Sequence, residues 1–333
     1  MNDRQARENR KVAVPQTSRR RERSADTTTE HAGHEADSGP QSLPRSSSDR
    51  PPLPRDPSQL DPVAAEIWQI IDEGLPHLAL ALSPGARAAL DAQLRLMRAW
   101  NQHINLTALR TPEQIARGHV LDSLSGTGLL RRLHRERIHG AGEPGAAEAP
   151  GPTVLDLGSG AGYPGLPLAV AAPAGRCALV DSVGKKQAFL DAAAAAAAAA
   201  LAAHGEPAPF FEALAERAED LAEEPEHREG WDFVVARAVG TLAEVAELGL
   251  PLLRPGGYVV AWKREPAPAG LRQEINDARR VVAAAGGDHP FVVAPDRQGR
   301  AGLADHRLVV VRKVRHTPDR YPRPPAERRR PGR

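Results

Sequence analysis

Hydrophobic positions change their spacing along the chain near residue 153. Before that point, apolar side chains recur every three or four residues, which is the spacing of one helix face. The first such run, from Val63 to Ile71, follows Asp61-Pro62, and an acidic residue followed by proline is typical of a helix start. We therefore expect the ordered part of the chain to begin with a helix capped by Asp61.

Two further helix starts follow before residue 138. Ser83-Pro84 has the same cap-and-proline form, and the apolar stripe behind it consists of Leu90, Leu94, Met97 and Ile104. Thr111-Pro112 opens a third helix, and Gln114 stands three residues after Thr111, as in a capping box. Together these patterns predict a helical cap over residues 58–138.

After residue 153 the pattern becomes one of short apolar runs that alternate with helical segments, including Lys185–Ala203 with its alanine tract. The strand candidates are Thr153–Leu157, Arg176–Val180, Pro209–Glu212, Trp231–Ala236, Tyr258–Trp262, Pro290–Val293 and Arg307–Val311. Such alternation is typical of the α/β class. We predict a doubly wound, mostly parallel seven-stranded sheet over residues 153–315.

Composition adds three segments that need not belong to this core. Residues 1–57 contain no Phe, Trp, Tyr or Ile, so they cannot bury enough apolar surface to fold, and we expect a disordered arm. Residues 139–152 are rich in Gly, Ala and Pro and predict a linker. Residues 316–333 form a basic tail, whose basic run includes Arg320, Arg323, Arg328, Arg329 and Arg330.

Charge is distributed unevenly over these segments. Residues 312–333 carry 9 Lys/Arg against 2 Asp/Glu, whereas residues 58–311 carry 24 against 31. A polyanionic partner would therefore meet the basic tail and local patches more favourably than the body as a whole. The tail predicts a phosphate contact without sequence preference, or simply a solubilising segment.

Several classes of protein are excluded. The single cysteine, Cys177, excludes an internal disulfide framework and a multi-cysteine metal site, and no metal is expected. No apolar run has the length of a membrane span, and no apolar segment follows the N-terminal arginines as it would in a secretory signal. We expect a cytoplasmic protein that does not contact a membrane.

The segment from Val154 to Gly165 (VLDLGSGAGYPG) carries most of the chemical information. A buried strand ends there in glycines, which let the backbone turn tightly and approach a ligand closely. Gly160-x-Gly162-x-x-Gly165 satisfies the dinucleotide fingerprint, while Asp156-x-Gly158-x-Gly160-x-Gly162 is the first motif of Rossmann-like methyltransferases.

The position of the glycines relative to the strand favours the second interpretation. Gly158 closely follows the strand, yet a dinucleotide pattern counted from Gly158 fails because residue 163 is tyrosine. Asp181 ends the next strand, where a carboxylate can accept both hydroxyls of a ribose in either ligand class. A nicotinamide or flavin site, and a glycine-rich turn that binds nothing, remain alternatives.

The acceptor of a methyl group is suggested only by what the sequence lacks. Methylation of cytosine C5 needs a cysteine nucleophile, but Cys177 lies inside a strand. Methylation of an exocyclic amine commonly uses an Asn/Asp-Pro-Pro-aromatic turn after the fourth strand, and that place reads Ala236-Arg237-Ala238. Guanine N7 has an exposed lone pair and loses no proton, so it requires neither group. A small-molecule methyltransferase would normally show an aromatic-lined pocket, and aromatic residues are only 4% here.

The chain resembles the bacterial small-subunit (16S) ribosomal RNA guanine-N7 methyltransferases, the RsmG family, also called glucose-inhibited division protein B. The matching stretches, in order, are Trp100-Asn101, Asn105 to Ala108, Arg117 to Leu124, Asp156 to Pro167, Leu179 to Lys186, Arg217 to Glu219, Asp232 to Ala238, Ala261 to Lys263 and Thr317 to Arg323. The resemblance implies a Rossmann-like methyltransferase with a helical cap, which uses S-adenosyl-L-methionine to methylate 16S rRNA or the small ribosomal subunit. We expect it to be a monomer.

The resemblance also implies roles for individual residues. Gly158, Gly160 and Tyr163 would line the methyl-donor site, Asp181 and Ser182 would hold its ribose, and Ala218-Glu219 would face its adenine. Departures from the family pattern are the arm 1–57, the long linker, the order His306-Arg307 and the arginine-rich end. None of them lies in the methyl-donor loop.

Four further residues carry two interpretations each. Arg237 is always charged and would bind the donor carboxylate or an RNA phosphate, or else form a surface ion pair. His119 and Asp122, three residues apart on one helix face, would either shape the target-base pocket or form a structural pair. Lys263 ends the fifth strand and would contact an RNA phosphate or lie solvated. The sequence offers no firm catalytic residue.

Overall fold

The computed structural model describes residues 52–140, 151–172, 174–265 and 268–328 of the 333-residue chain. Most of the predicted arm, residues 1–51, lies outside these ranges, as do residues 141–150 of the predicted linker and residues 329–333 of the predicted basic tail.

The predicted cap is helical, and its elements in order are a 3-10 turn at Pro57–Gln59, α1 (Ala65–Gly74), a 3-10 turn at Leu75–Leu78, α2 (Pro84–Trp100), α3 (Pro112–Ile115), α4 (Asp122–Leu124) and α5 (Thr127–Gly140). A π-helical stretch, Ala116–Leu121, joins α3 to α4. Two predicted starts are confirmed. The Ser83 hydroxyl accepts from the amide of Ala86, and Thr111 forms a complete capping box with Gln114.

The predicted start of the first helix is wrong. The helix begins at Ala65, without a side-chain cap, and Asp61-Pro62 lies before it. The carbonyls of Leu60 and Pro62 accept hydrogen bonds from Arg95 and Arg98 of α2, which hold this segment against α2 instead of in a helical turn. The second helix is shorter than predicted, because it ends at Trp100 and leaves Ile104 in the following loop.

Residues 153–312 form one seven-stranded sheet with the order β3-β2-β1-β4-β5-β7-β6. The strands are β1 (Thr153–Leu157), β2 (Arg176–Val180), β3 (Phe210–Leu214), β4 (Trp231–Arg237), β5 (Leu253–Arg264), β6 (Phe291–Val293) and β7 (His306–Arg312). The pairs among β1 to β5 are parallel, and β7 lies antiparallel between β5 and β6. The predicted doubly wound, mostly parallel seven-stranded sheet is confirmed.

The two faces of the sheet pack against different helices. Alternate residues of β1 point to opposite faces, so Val154 belongs to one apolar cluster and Leu155 to the other. Helices α6 (Gly165–Ala171), α7 (Gly184–Ala203) and the cap cover the first face. Helices α8 (Ala218–Leu221), α9 (Leu242–Gly249) and α10 (Pro268–Ala284) cover the second, and α11 (Pro325–Arg328) follows the sheet.

The alanine tract of α7 lies in the contact between the cap and the sheet domain. Ala193 and Ala197 of α7 are fully buried, and so is Ala89 of α2, which packs along α7. Side chains of this size let two helices approach closely. The tract is therefore a packing surface that fixes the cap next to the first face of the sheet.

Candidate functional site

The candidate site lies at the carboxyl ends of β1 and β4, the two strands at which the strand order reverses. In open α/β sheets, ligands bind in the crevice formed outside the sheet at this place. Two structural units meet there. One is the loop from Gly158 to Pro164, between β1 and α6, and the other is a group of buried polar side chains around Arg237, at the end of β4.

The backbone of the loop requires its glycines. Gly158, Gly160 and Gly162 have φ values of 69°, 58° and 83°, in the left-handed region that favours glycine. A Cβ atom at Gly158 would lie 2.8 Å from Cγ2 of Val239, so only glycine leaves this approach open. The cap supports the loop from below, because the Gln93 amide of α2 donates to the carbonyl of Ala161 at 2.9 Å.

Asp156 of β1 anchors the far end of the loop. Its side chain is fully buried, and Oδ2 accepts from the amide of Gly165, the first residue of α6, at 2.9 Å. Burial raises the pKa of Asp156 to about 7, against the opposing effect of the Gly165 hydrogen bond. Asp156 therefore holds the loop from beneath and is not accessible to a ligand.

Asp181 and Ser182 lie at the end of β2, beside the loop. The Asp181 carboxylate accepts from the amide of Gly160 at 3.1 Å, from the amide of Val183 at 3.0 Å and from Nζ of Lys186 at 3.3 Å. These bonds fix Asp181 in one orientation next to Gly160. The neighbouring Ser182 is exposed.

Ala218 and Glu219 lie in the first turn of α8, after β3. Ala218 is buried against the second face of the sheet, whereas Glu219 is half-buried and pairs with Arg328 of α11. Burial raises the pKa of Glu219, but the hydrogen bond and charge of Arg328 outweigh it and the pKa is lowered. The carboxylate is therefore charged and already has a cationic partner.

Arg237 joins the end of β4 to the π-helical stretch of the cap. Its NH1 donates to the carbonyl of Gly118 at 2.8 Å and to Oδ2 of Asp122 at 2.9 Å, and its NH2 lies 3.1 Å from Nδ1 of His119. The two side chains predicted to form a pair thus meet through the arginine. We call Arg237, His119, Asp122, Thr107 and His306 the Arg237 cluster.

The hydrogen bonds of His119 identify its tautomer. A guanidinium can only donate, so Nδ1 of His119 accepts from Arg237, and Nε2 carries the proton and donates to the Thr107 hydroxyl at 2.7 Å. Burial, followed by the charge of Arg237, lowers the pKa of His119 to about 3, although Asp122 opposes this. His119 is therefore neutral, and both of its ring nitrogens are in use.

Tyr163 connects the Arg237 cluster to the glycine loop. Its ring stacks on that of His119, with centroids 4.5 Å apart and planes 7° from parallel, and the guanidinium of Arg237 lies 5.4 Å from the ring centroid. The side chain is buried, and its hydroxyl has no hydrogen-bond partner among the described residues. Burial raises the pKa of this phenol. Tyr163 is thus the contact between the two units.

His306 is the member of the Arg237 cluster that the sequence interpretation missed. It opens β7, and its Nδ1 lies 2.6 Å from Oδ1 of Asp122, so that Asp122 bridges His306 and Arg237. The sequence does contain a signal for this residue, because His306 and Arg307 stand directly before the apolar run from Leu308 to Val311. Its partner, however, is 184 positions away in the sequence.

Two groups predicted to contact phosphate are paired within the protein. Lys263 at the end of β5 donates to the carbonyl of Gly240 and to Glu274, each at 2.7 Å. In the tail, Arg323 forms two hydrogen bonds with Glu247, and Arg328 pairs with Glu219. Much of the positive charge of the described tail is therefore neutralised on the protein surface.

No helix in the described ranges is long and apolar enough to cross a membrane.

Residues 87–300 match the family model described as rRNA small subunit methyltransferase G. A protein of that name from Symbiobacterium thermophilum is 35% identical over 257 residues, which cover 76% of this chain and 93% of the relative. Its namesake from Deinococcus deserti is 37% identical over 264 residues, which cover 78% and 93%. The O-methyltransferase TomG from Streptomyces achromogenes, solved with its methyl donor, is 17% identical and covers 71% of this chain and 92% of TomG, with a TM-score of 0.39. On the family match and the two namesake proteins, the chain belongs to the rRNA small subunit methyltransferase G family.

Proposed function

We propose that the protein transfers a methyl group from S-adenosyl-L-methionine to N7 of a guanine in 16S ribosomal RNA, without a general base. The family to which the chain belongs supports a methyltransferase that acts on RNA of the small ribosomal subunit. The choice of donor and of acceptor atom is supported by the two units of the candidate site.

We propose that the glycine loop and the end of β2 bind a sulfonium nucleoside. Gly158 is exposed at the loop, and a Cβ atom there would fill the approach in front of Val239. The residues that would hold the donor are Gly158, Gly160, Tyr163, Asp181, Ser182, Ala218 and Glu219, with Arg237 at the edge. When bound, S-adenosylmethionine supplies a methyl group on a positively charged sulfur, ready for in-line displacement.

The observation that carries the choice of N7 is the state of the Arg237 cluster. His119 is neutral with both ring nitrogens engaged, and Asp122 is held by Arg237 and His306. The only cysteine, Cys177, is fully buried in β2, and burial raises the pKa of its thiol. His119 and Asp122 are thus not free to act as a base, and Cys177 is not accessible as a nucleophile; guanine N7 requires neither.

The chain would then act by positioning. The Arg237 cluster fixes the cap relative to β4, so that the target base and the methyl group meet at attack distance, the main requirement of such a transfer. We propose His119, Asp122 and Lys263 as the residues that set this position. We also propose that the enzyme acts as a monomer in the cytoplasm, where its ribosomal substrate is found.

Mapping the product tests this proposal. Small ribosomal subunits from a strain that lacks the modification are incubated with the protein and a methyl-labelled donor, and N7-methylguanine is located by chemical strand cleavage. We expect new cleavage at one guanine of 16S rRNA. Label in the RNA without any new cleavage at a guanine would contradict the N7 assignment, and no label at all would contradict the activity.

A shift in melting temperature tests the donor separately. S-adenosylhomocysteine should stabilise the protein, because a ligand that binds only the native state shifts the unfolding equilibrium. NAD should not. Stabilisation by NAD alone would revive the dinucleotide interpretation of the glycine loop.

A further inference from the structure

A second groove lies on the cap, outside the crevice at the sheet edge. It has a volume of about 440 Å³ and is open to solvent. Its walls are the end of α2, the loop after it, the end of α3 and the segment before α1. The polar residues that matter here are Arg95, Arg98, Arg110, Gln102 and Thr107. Specific sites for small ligands begin at roughly 300 Å³, so the groove has room for a nucleotide.

The groove carries uncompensated positive charge. Arg95 is paired with Asp91 at 2.6 Å. Arg98 donates only to a backbone carbonyl, that of Pro62, and the exposed Arg110 has no side-chain partner among the described residues. The lining contains a single carboxylate, Asp61. Guanidinium groups that lack a carboxylate partner are suited to phosphate, which they bind in a fork geometry.

The wall of the groove is fixed before any ligand binds. Oδ1 of Asn101 accepts from the amides of Leu106 and Thr107 at 2.9 and 3.1 Å, and its Nδ2 donates to the carbonyl of Thr107 at 3.1 Å. The loop after α2 is therefore held by one side chain at the end of that helix. A wall held in this way lowers the cost of ordering on binding.

Thr107 connects this groove to the candidate site. It lines the groove, and its hydroxyl accepts from Nε2 of His119, whose ring stacks on Tyr163. A ligand in the groove would thus lie against Thr107, a member of the Arg237 cluster. A polymer whose target base lies at the cluster would place an adjacent nucleotide near Arg98 and Arg110.

We propose that this groove binds the phosphodiester backbone of an RNA nucleotide that flanks the target guanine, with Arg98 and Arg110 on the phosphates. The proposal rests on the proposed function, because it takes its ligand to be the same RNA. The exposed amide of Gln102 lies in the groove and is suited to a base edge or a ribose hydroxyl.

Binding of the full-length protein to 16S rRNA, measured over a range of salt concentrations, tests the groove. In the double variant Arg98→Ala/Arg110→Ala we expect the Kd to rise at least tenfold. The slope of log K against log salt should fall by about 1.4, since each phosphate contact to a single strand contributes about 0.7. The matched control is Arg272→Ala/Arg280→Ala on α10, which removes two exposed arginines on the opposite face of the sheet and should change the Kd less than twofold.

Four further measurements make the result decisive. S-adenosylhomocysteine affinity should be unchanged in the groove variants, because neither arginine touches the donor crevice. The free energy of unfolding should be unchanged in Arg110→Ala and should fall slightly in the double variant, which loses the hydrogen bond from Arg98 to the Pro62 carbonyl. If the double variant does not fold, Arg110→Ala alone decides, since its side chain makes no described contact within the protein, and a threefold weaker Kd is expected. Guanosine monophosphate should bind far more weakly than RNA.

The outcomes separate the two proposals. An unchanged Kd and salt slope in the groove variants, or an equal loss in the α10 control, would overturn the groove assignment. Guanosine monophosphate that binds as tightly as RNA would assign the groove to free nucleotides and overturn it as well. A wild-type protein that binds 16S rRNA through the groove but never methylates it would leave this inference standing and reject the proposed function.

Discussion

The glycine loop and the Arg237 cluster lie at the same edge of the sheet but are built in different ways. The loop is one continuous stretch, in which three glycines with positive φ turn the chain from β1 into α6. The cluster collects side chains from a loop, the cap helix, the end of β4 and the start of β7, and Asp122 and His306 are 184 positions apart.

The two units therefore contribute to methyl transfer in different ways. The loop presents backbone to a ligand, and its fixed parts, Asp156 and Asp181, act through backbone amides. The Arg237 cluster instead uses charged and polar side chains to hold the cap against β4. Changes to the loop should therefore act first on donor binding, and changes to the cluster should act first on stability and on methyl transfer.

The largest expected effect concerns the pH dependence of stability at Asp156. Its folded pKa of about 7 lies above the ordinary value, so its contribution is fully present below about pH 4 and is lost as the pH rises through 7. A shift of this size corresponds to roughly 4 kcal/mol. Relative to Asp156→Asn, the wild-type protein should lose about that much stability between pH 4 and 8, as measured by urea unfolding.

The contribution of His119 to stability should depend on pH in the opposite direction. Its pKa of about 3 is depressed, so its contribution is present above about pH 6.5 and is lost as the pH falls towards 3.

The control for the Asp156 prediction is the exposed Asp191, since Asp191→Asn makes the same chemical change as Asp156→Asn but away from the site. A constant difference between the wild-type protein and Asp156→Asn at every pH would contradict the assigned state of this carboxyl.

A second prediction concerns the Arg237 cluster. Arg237→Ala removes the hydrogen bonds to the Gly118 carbonyl and to His119 and leaves a buried carboxylate at Asp122 with one partner fewer. Breaking a buried pair of this kind costs about 3 kcal/mol. Methyl transfer at saturating donor should fall with it, and Arg237→Lys should not restore it, because an ammonium cannot reproduce the fork geometry.

The ion pair between Arg264 and Asp305 is a control for this prediction. Arg264 is 65% exposed at its side chain, so Arg264→Ala should cost less than about 1 kcal/mol. Equal destabilisation by the two arginine variants, seen in chemical unfolding, would show that the cluster does not fasten the cap.

The same contrast explains what the sequence could predict. The seven strands, the caps at Ser83 and Thr111 and the glycine loop follow from neighbouring residues, and the structure confirms them, although β3 and β5 extend beyond their predicted bounds. The start of the first helix was predicted wrongly because the Asp61-Pro62 segment is held by α2, a contact that no local pattern encodes.

The site residues show the same limit. Asp181 was predicted from its place at a strand end, but its bond to Gly160 depends on how the loop folds over β2. The partners of Arg237 and the role of His306 depend on how the cap docks on the sheet. The roles proposed for individual residues in donor and guanine binding stay predictions, of which the Gly158 and Arg237 variants test two.

Gly158→Ala should have the smallest of these effects on stability and the largest effect on the affinity for the donor. Gly158→Ala places a side chain in a backbone conformation that costs about 1–2 kcal/mol, and its Cβ would fill the approach in front of Val239. Gly205 is a matched control, because its φ of 68° is almost the same and nothing lies within 4 Å of an added Cβ. Both variants share the cost of the backbone conformation, and Gly158→Ala should lose somewhat more stability in urea unfolding because its Cβ also meets Val239. Only Gly158→Ala should weaken S-adenosylhomocysteine binding, by at least tenfold in calorimetry. Equal affinities in the two variants would mean that the loop does not face the donor. Donor binding could then not be assigned to the glycine loop.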